Sequence, residues 1–213
     1  MSVQGTVEWF AERAGKVTAS RVADVIAKTK TGWGASRANY AAQLVAERLT
    51  GNVEATFTNA AMQWGNDKEP EAREAYEYRF GVFVQEVGMV EHPSIKMTGA
   101  SPDGMVGGSG LIEIKCPNTA THIDTLLNAK VPAKYVTQMQ WQMACTGRAW
   151  CDFVSFDPRM PAHMQMFVQR VERDDKMIRE LEIEVSTFLD EVDQTVRRLT
   201  KAYPDVARNA DPE

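Results

Sequence analysis

Three residue types that rarely sit together on a strand do so here. Ser101-Pro102-Asp103-Gly104 is followed nine residues later by Glu113-Ile114-Lys115. Between them lie Met105-Val106, the glycine-rich Gly107-Gly108-Ser109-Gly110, and then Leu111-Ile112. Two short extended segments joined by such a turn form an antiparallel hairpin. Glu113 and Lys115, two apart on one strand, point to the same face, and Asp103 at the end of the other meets them across the ladder. Two close carboxylates repel, and burying them is costly unless a cation neutralises them. Hard oxygen ligands with open positions suit Mg²⁺ or Mn²⁺. A charged Lys115 is no ligand, but it can orient or deprotonate a water, or stabilise charge developing on a phosphate. That is the equipment of metal-assisted phosphodiester hydrolysis.

The bland alternative is a surface salt bridge on a hairpin. It sits poorly with apolar Leu111, Ile112 and Ile114 flanking the charges, because burial makes acids expensive unless a site needs them. Asp174-Asp175-Lys176 repeats the acid-x-Lys pattern, but it opens a polar helix and has no Pro-Asp partner upstream.

The surrounding elements follow from periodicity. Thr18 or Ser20 is placed to cap a helix over VADVIAKT, which sets free backbone N–H groups near Arg13 and Lys16, a generic anion site. A glycine-bearing loop over 31–34 precedes a helix through Tyr40, Leu44, Val45 and Leu49, stopped at Gly51. Residues 58–80 read as a helix with Ala61, Trp64, Ala72, Ala75 and Tyr76 inward. Gly65 and Pro70 make its first part irregular, so the regular helix is expected from about Glu69. Val82–Val90 and Ile95-Lys96-Met97 alternate as strands do. Helices follow at 122–128 and 132–145, then paired strands at 150–156 and 164–171. A last helix over 174–203 carries Met177, Leu181, Val185, Phe188, Val192, Val196 and Leu199 in a stripe. The tail beyond it should fray. The sum is an α/β fold, a mixed sheet with helices around it and a long C-terminal helix.

Composition sets bounds. The chain has 213 residues, 44% hydrophobic and 25% charged. That is globular, and long enough to bury about 70% of its unfolded surface. One domain over 1–203 is expected, with 204–213 as a tail. No run approaches the ~20 apolar residues of a membrane helix, and the first residues are unlike a secretory signal. Cys116, Cys145 and Cys151 form no CxxC pair, which fits a reducing cytoplasm better than a disulfide framework. Cys116 should face away from the Lys115 side, with no nucleophilic role. His92, His122 and His163 have no metal-ligand spacing. Net charge is −5, but residues 12–48 sum to +4 and 172–193 to −6. This permits a basic face for phosphates and an acidic one elsewhere, or simply two solvated helix surfaces.

Asp103…Glu113-x-Lys115 is the PD…(D/E)xK nuclease signature. Ala-Ser-Pro-Asp-Gly…Leu-Ile-Glu-Ile-Lys-Cys-Pro resembles the phage lambda exonuclease (viral recombinase) family in particular. The likeness extends through Arg13-x-Gly15-x-x-Thr18-Ala19-Ser20, Trp64-Gly65-x-x-x-Glu69, Gln138-x-Gln140, Asp157-Pro158-Arg159-Met160 and Glu172-Arg173-Asp174. The resemblance implies a restriction-endonuclease-like fold and a Mg²⁺-dependent 5′→3′ exonuclease, with Mn²⁺ as a substitute. Such an enzyme digests one strand of linear duplex DNA from its end to mononucleotides. It implies a homotrimeric ring working beside a single-strand annealing protein in recombination, in the host cytoplasm for a phage protein. It also implies that Asp103, Glu113, the Ile114 carbonyl and Glu69 hold metal while Lys115 positions the attacking water.

By the same resemblance Arg13, Ser20, Ser101 and Gln138 grip the 5′ phosphate, and Met62 wedges the split duplex end. On the residues alone, Glu69 reads as a solvated member of a charged run, Gln138 has a rival one helical turn on in Gln142, and Met62 and Trp64 read as core packing. An endonuclease of the same fold, a non-catalytic DNA-end-binding protein and an RNA nuclease are the alternatives.

Overall fold

The computed structural model describes residues 4–53 and 59–204. The chain opens with α1 (Val7–Arg13), capped by the Thr6 hydroxyl accepting the Trp9 N–H at 3.3 Å. Then come β1 (Val17–Thr18), a 3₁₀ turn (Ala19–Arg21) and α2 (Val22–Val25). The helix expected over VADVIAKT is therefore one turn long, and neither Thr18 nor Arg21 caps its own turn through its side chain. Val22 and Val25 are buried as the pattern requires. The chain leaves the helix because β2 (Lys28–Thr29) and β3 (Gly32–Trp33) pair as a small hairpin where a loop was expected. α3 (Ala35–Thr50) buries Tyr40, Leu44 and Val45 and stops at Gly51, whose left-handed conformation (φ 71°) lets its N–H reach the Glu47 carbonyl.

α4 (Ala60–Phe80) runs unbroken through Gly65 and Pro70, against the expectation of an irregular first half. Proline removes the bond to the carbonyl four residues back. Here that residue, Asn66, is exposed, so water can take the bond's place. Ala72 and Tyr76 are buried, Trp64 and Ala75 half-buried, and Ala61 is exposed rather than inward.

The alternation over 82–90 breaks into two short strands in different sheets, β4 (Val84–Gln85) and β5 (Val90–Glu91). Ile95-Lys96-Met97 is a turn, with Met97 at φ 61°, and the strand begins only at β6 (Thr98–Ala100). After it come β7 (Gly104–Val106), β8 (Gly110–Lys115), α5 (Thr119–Asn128), α6 (Ala133–Thr146), β9 (Trp150–Phe156), β10 (Met166–Glu172) and α7 (Asp175–Ala202). The main sheet has the order β10-β9-β8-β7-β4, antiparallel throughout except that β8 and β9 are parallel, joined by the crossover through α5 and α6. A smaller sheet, β1-β6-β5, lies beside it. The expected class, a mixed sheet flanked by helices with a long C-terminal helix, is what forms.

α7 closes the side of the fold that holds α3. Its buried Leu181, Val185, Phe188 and Val192 join Tyr40, Leu44 and Trp141 in one core, and Tyr40 stacks on Phe188 at 5.7 Å. At about 1.5–3 kcal/mol for each fully buried side chain, those four contribute on the order of 10 kcal/mol as an upper estimate. Leu199, at the end of the expected stripe, is 37% exposed. The same contact uses up the charge polarity. Arg37 forms a two-pronged pair with Glu191 at 2.8 and 3.0 Å, Arg48 pairs with Asp193, and Lys28 with Glu184 at 3.1 Å. Three of the seven basic side chains of 12–48 are thus paired with the acidic helix. Asp174-Asp175-Lys176 behaves as expected of a helix start, with Asp174 accepting the Lys176 and Met177 N–H groups. No helix among the described residues is long and apolar enough to cross a membrane.

Candidate active site

The hairpin forms as the spacing requires. β7 and β8 pair antiparallel with Gly104 opposite Ile112, so Asp103, one residue before β7, stands opposite Glu113. Two glycines make this possible. Gly107 takes φ 54° in the turn, and a Cβ on Gly104 would lie 2.1 Å from a Val84 methyl. Asp103 Oδ2 accepts the Ile114 N–H at 2.6 Å, which ties the start of β7 to the far end of β8.

Glu113 has no exposed surface. Its Oε1 pairs with the Lys115 ammonium and accepts from Gln138 Nε2 at 2.7 Å, and its Oε2 accepts from Gln142 Nε2 at 2.6 Å. The salt-bridge alternative for this hairpin fails on that burial. Burial, then repulsion from Glu113, pushes the Asp103 carboxyl well above the ordinary carboxylate range. Burial disfavours the Lys115 ammonium, but Glu113 and Asp103 outweigh it and hold the group above its ordinary range. Lys115 therefore stays charged, suited to donating rather than to accepting a proton. Its ammonium also lies 5.4 Å from the Tyr135 ring centroid.

Glu69 comes from α4, which packs against β8. It is half-buried and bonded to Arg73 at 2.7 Å, and Arg73 also reaches Glu86 at 2.8 Å. Burial raises the Glu69 carboxyl, against Arg73 and Lys115, and Glu113 adds to the rise. Glu69 is thus within electrostatic reach of the hairpin site and is not the solvated residue that its charged run suggests. Among the described residues no three His, Cys, Asp or Glu side chains converge as a ready-made metal cage. The donor set still fits a divalent cation: Asp103 and the fully buried Glu113 repel one another with the Lys115 ammonium between them, and Glu69 is held beside them by Arg73.

The phosphate candidates divide. Arg13 stacks on Trp9 at 3.9 Å and donates to Ser101 Oγ at 3.2 Å, and Trp9 Nε1 donates to the same oxygen at 3.1 Å. Arg13, Ser101 and, two residues on, Asp103 are therefore neighbours. Ser20 lies in the 3₁₀ turn that packs on α6, exposed and 3.4 Å from Thr18 Oγ1. Gln138 bonds Glu113, as does Gln142. Met62 is 50% exposed at the first turn of α4, so it is not core. Trp64 is half-buried against the core beneath the sheet, under the Arg159 guanidinium at 4.3 Å.

Cys116 and His122 are both buried. Burial and the nearby Glu69 push the Cys116 thiol up to about 12. His122 is buried between Ser155 Oγ and the Met164 carbonyl, both at 2.8 Å. Trp9 and Arg73 belong to none of the motifs. Their only signal is helical spacing, each four residues from the group it touches.

Residues 8–149 match the family described as the YqaJ-like viral recombinase domain. An alkaline exonuclease from Laribacter hongkongensis, LHK-Exo, is 56% identical, with a TM-score of 0.87 over 92% of this chain and 97% of that one. The same figures hold for the crystal structure of LHK-Exo in complex with dAMP. A phage-related exonuclease from Haemophilus somnus 129PT shares the fold at 19% identity, with a TM-score of 0.72 over 86% of this chain and 96% of that one. Among curated proteins none matches. With the matched segment running from α1 through α6 and holding every candidate residue of the site, the chain belongs to the YqaJ-like viral recombinase family.

Proposed function

We propose that this family member is a Mg²⁺-dependent exonuclease that removes nucleotides 5′→3′ from one strand of linear duplex DNA. The observation that carries the reading is the adjacency of two devices on one strand lead. Asp103 stands opposite the buried Glu113–Lys115 pair, and Ser101, two residues earlier, is gripped by Arg13. A candidate hydrolytic centre beside an arginine–hydroxyl pair suits a substrate recognised by a terminal phosphate. LHK-Exo with its bound dAMP offers a product of matching kind, a single nucleotide.

Asp103, Glu113, the Ile114 carbonyl and Glu69 would hold Mg²⁺, with Mn²⁺ able to serve. Bound there, the ions would activate a water and stabilise the leaving oxygen. The protein's own groups do the rest. Arg13 and Ser101 bind the 5′ phosphate, Ser20 and Gln138 complete its shell, and Gln138 swings from Glu113 to do so. The Lys115 ammonium donates to the attacking water and to the phosphoryl oxygen that gains charge. Met62, exposed at the head of α4, wedges the terminal base pair apart. In this reading three copies form a ring around the duplex, and the exposed strand passes to a single-strand annealing protein for recombination.

The test is a time course on duplexes labelled at the 5′ or the 3′ end, with and without Mg²⁺, beside nicked and closed circles. Loss of 5′ label as mononucleotide, only with Mg²⁺ and never from a closed circle, is the expected result. Cutting of the closed circle would make the enzyme an endonuclease. Binding of ends without hydrolysis at any Mg²⁺ concentration would make it a scaffold, and degradation of duplex RNA in preference to DNA a ribonuclease.

A further inference from the structure

Glu113 is held by two amides from one helix, and the two differ in kind. Gln138 is half-buried and shares Oε1 with Lys115, on the side where the reaction is placed. Gln142, one turn on, has no exposed surface and donates to Oε2. An ionised carboxylate only accepts, so the Gln142 NH₂ must be the end that faces it. The other end of that amide meets the Cys151 thiol at 3.9 Å. Gln142 reaches Glu113 there directly, sealed from bulk solvent. Its position is set by the fold: Gln140 on the same helix bonds the Glu172 carbonyl and the Asp174 N–H, and Trp141 Nε1 reaches Thr98 Oγ1.

We infer that Gln142 is a positioning residue: by pinning Oε2 of Glu113 it fixes the carboxylate plane so that Oε1 alone is presented to Lys115 and to a divalent cation. The terminal torsion of a glutamate is broad and two-fold, and nothing in the side chain itself selects one orientation. The hydrogen bond from Gln142 selects it. Partners of this outer kind shift metal affinity or activity by about 10- to 100-fold when removed. The inference rests on the nuclease reading above.

The experiment measures Mn²⁺ binding to the full chain by electron paramagnetic resonance without DNA, and then the Mn²⁺ dependence and DNA KM of hydrolysis. Q142M keeps the volume and loses the donor. Q142N keeps an amide but is one methylene short. Both are expected to bind Mn²⁺ about 10- to 100-fold more weakly, with the Mn²⁺ requirement of hydrolysis raised alike and the DNA KM unmoved. Q165N, which loses reach to the Pro158 and Met160 carbonyls, is the control for a merely structural glutamine: a lower Tm with unchanged Mn²⁺ affinity. A folded Gln142 variant that binds Mn²⁺ as the wild type does overturns the inference, and Q142N decides the matter where Q142M fails to fold. Wild-type protein that neither binds Mn²⁺ nor cuts DNA would instead overturn the nuclease reading.

Discussion

Replacing Asp103 by asparagine should destroy hydrolysis and yet make the metal-free protein more stable. Asp103 and Glu113 stand opposite each other with Glu69 adding to the repulsion, and Lys115 and the Ile114 N–H offset part of it. At an effective dielectric near 20, two like charges about 4–5 Å apart repel by about 3–4 kcal/mol. Attraction to Lys115 cancels roughly half, so removing the Asp103 charge should return about 1–2 kcal/mol. Asparagine keeps an oxygen for the Ile114 N–H and turns a donor toward Glu113. For a chain of this length that means a Tm higher by about 2–8 °C in EDTA. The pH dependence has a definite sign. A carboxyl whose folded pKa is raised binds more protons in the native state, so its contribution to stability falls as pH climbs from the unfolded value through the folded one. The wild type should show that decline in EDTA, and D103N should lack it. With Mg²⁺ at about 100 times its Kd the wild type gains about 2.7 kcal/mol and the order reverses. Urea unfolding with EDTA or Mg²⁺, at several pH values, measures all of this. A D103N protein that is less stable than wild type in EDTA, or that still digests DNA, would refute the reasoning.

Four further outcomes are expected. Lys115→Ala should abolish hydrolysis while leaving DNA-end binding largely intact, as read by nuclease and gel-shift assays on one preparation. Arg13→Ala should slow digestion of 5′-phosphorylated ends more than of hydroxyl ends; equal losses would count against a phosphate pocket. Arg48→Ala removes bonds to Asp193 and the Gly15 carbonyl, and should cost about 1–2 kcal/mol without altering DNA affinity or its salt dependence. Burial favours the neutral Asp157, but its bonds to Arg159 prevail and lower its pKa to about 2. The stability lost in Asp157→Asn, about 1–2 kcal/mol after allowance for the exposed Arg159, should therefore be full above pH 5 and fade as pH falls toward 2 in urea titrations.

The β7–β8 hairpin was legible because its signals agree. Alternation through Leu111, Ile112 and Ile114, a glycine turn and acids among apolar neighbours all specify one arrangement. The long helices 35–50 and 175–202 were legible for the same reason. α4 was misread because Gly65 frees no backbone group and Pro70 frees only the Asn66 carbonyl, and sequence does not say that Asn66 faces water. The charge polarity misled through distance: Arg37 and Glu191 lie 154 positions apart, and no local pattern announces that they meet. Gln142 was visible only as a helical neighbour of Gln138, because an amide on a helix looks the same in sequence whether it faces solvent, phosphate or a buried acid. Met62 read as packing since exposure is a property of the folded helix end, not of methionine.

The unbroken course of α4 has a mechanical consequence. Met62 and Glu69 ride on one rigid rod seven residues apart, which at 1.5 Å per residue is about 10 Å along its axis. A DNA strand stacked at 3.4 Å per nucleotide covers that span in about three steps. If Met62 wedges the duplex end and Glu69 holds metal as proposed, the helix is a calliper that sets how many bases are parted before the cut, and one added residue would change the gauge and swing one jaw about 100° around the rod.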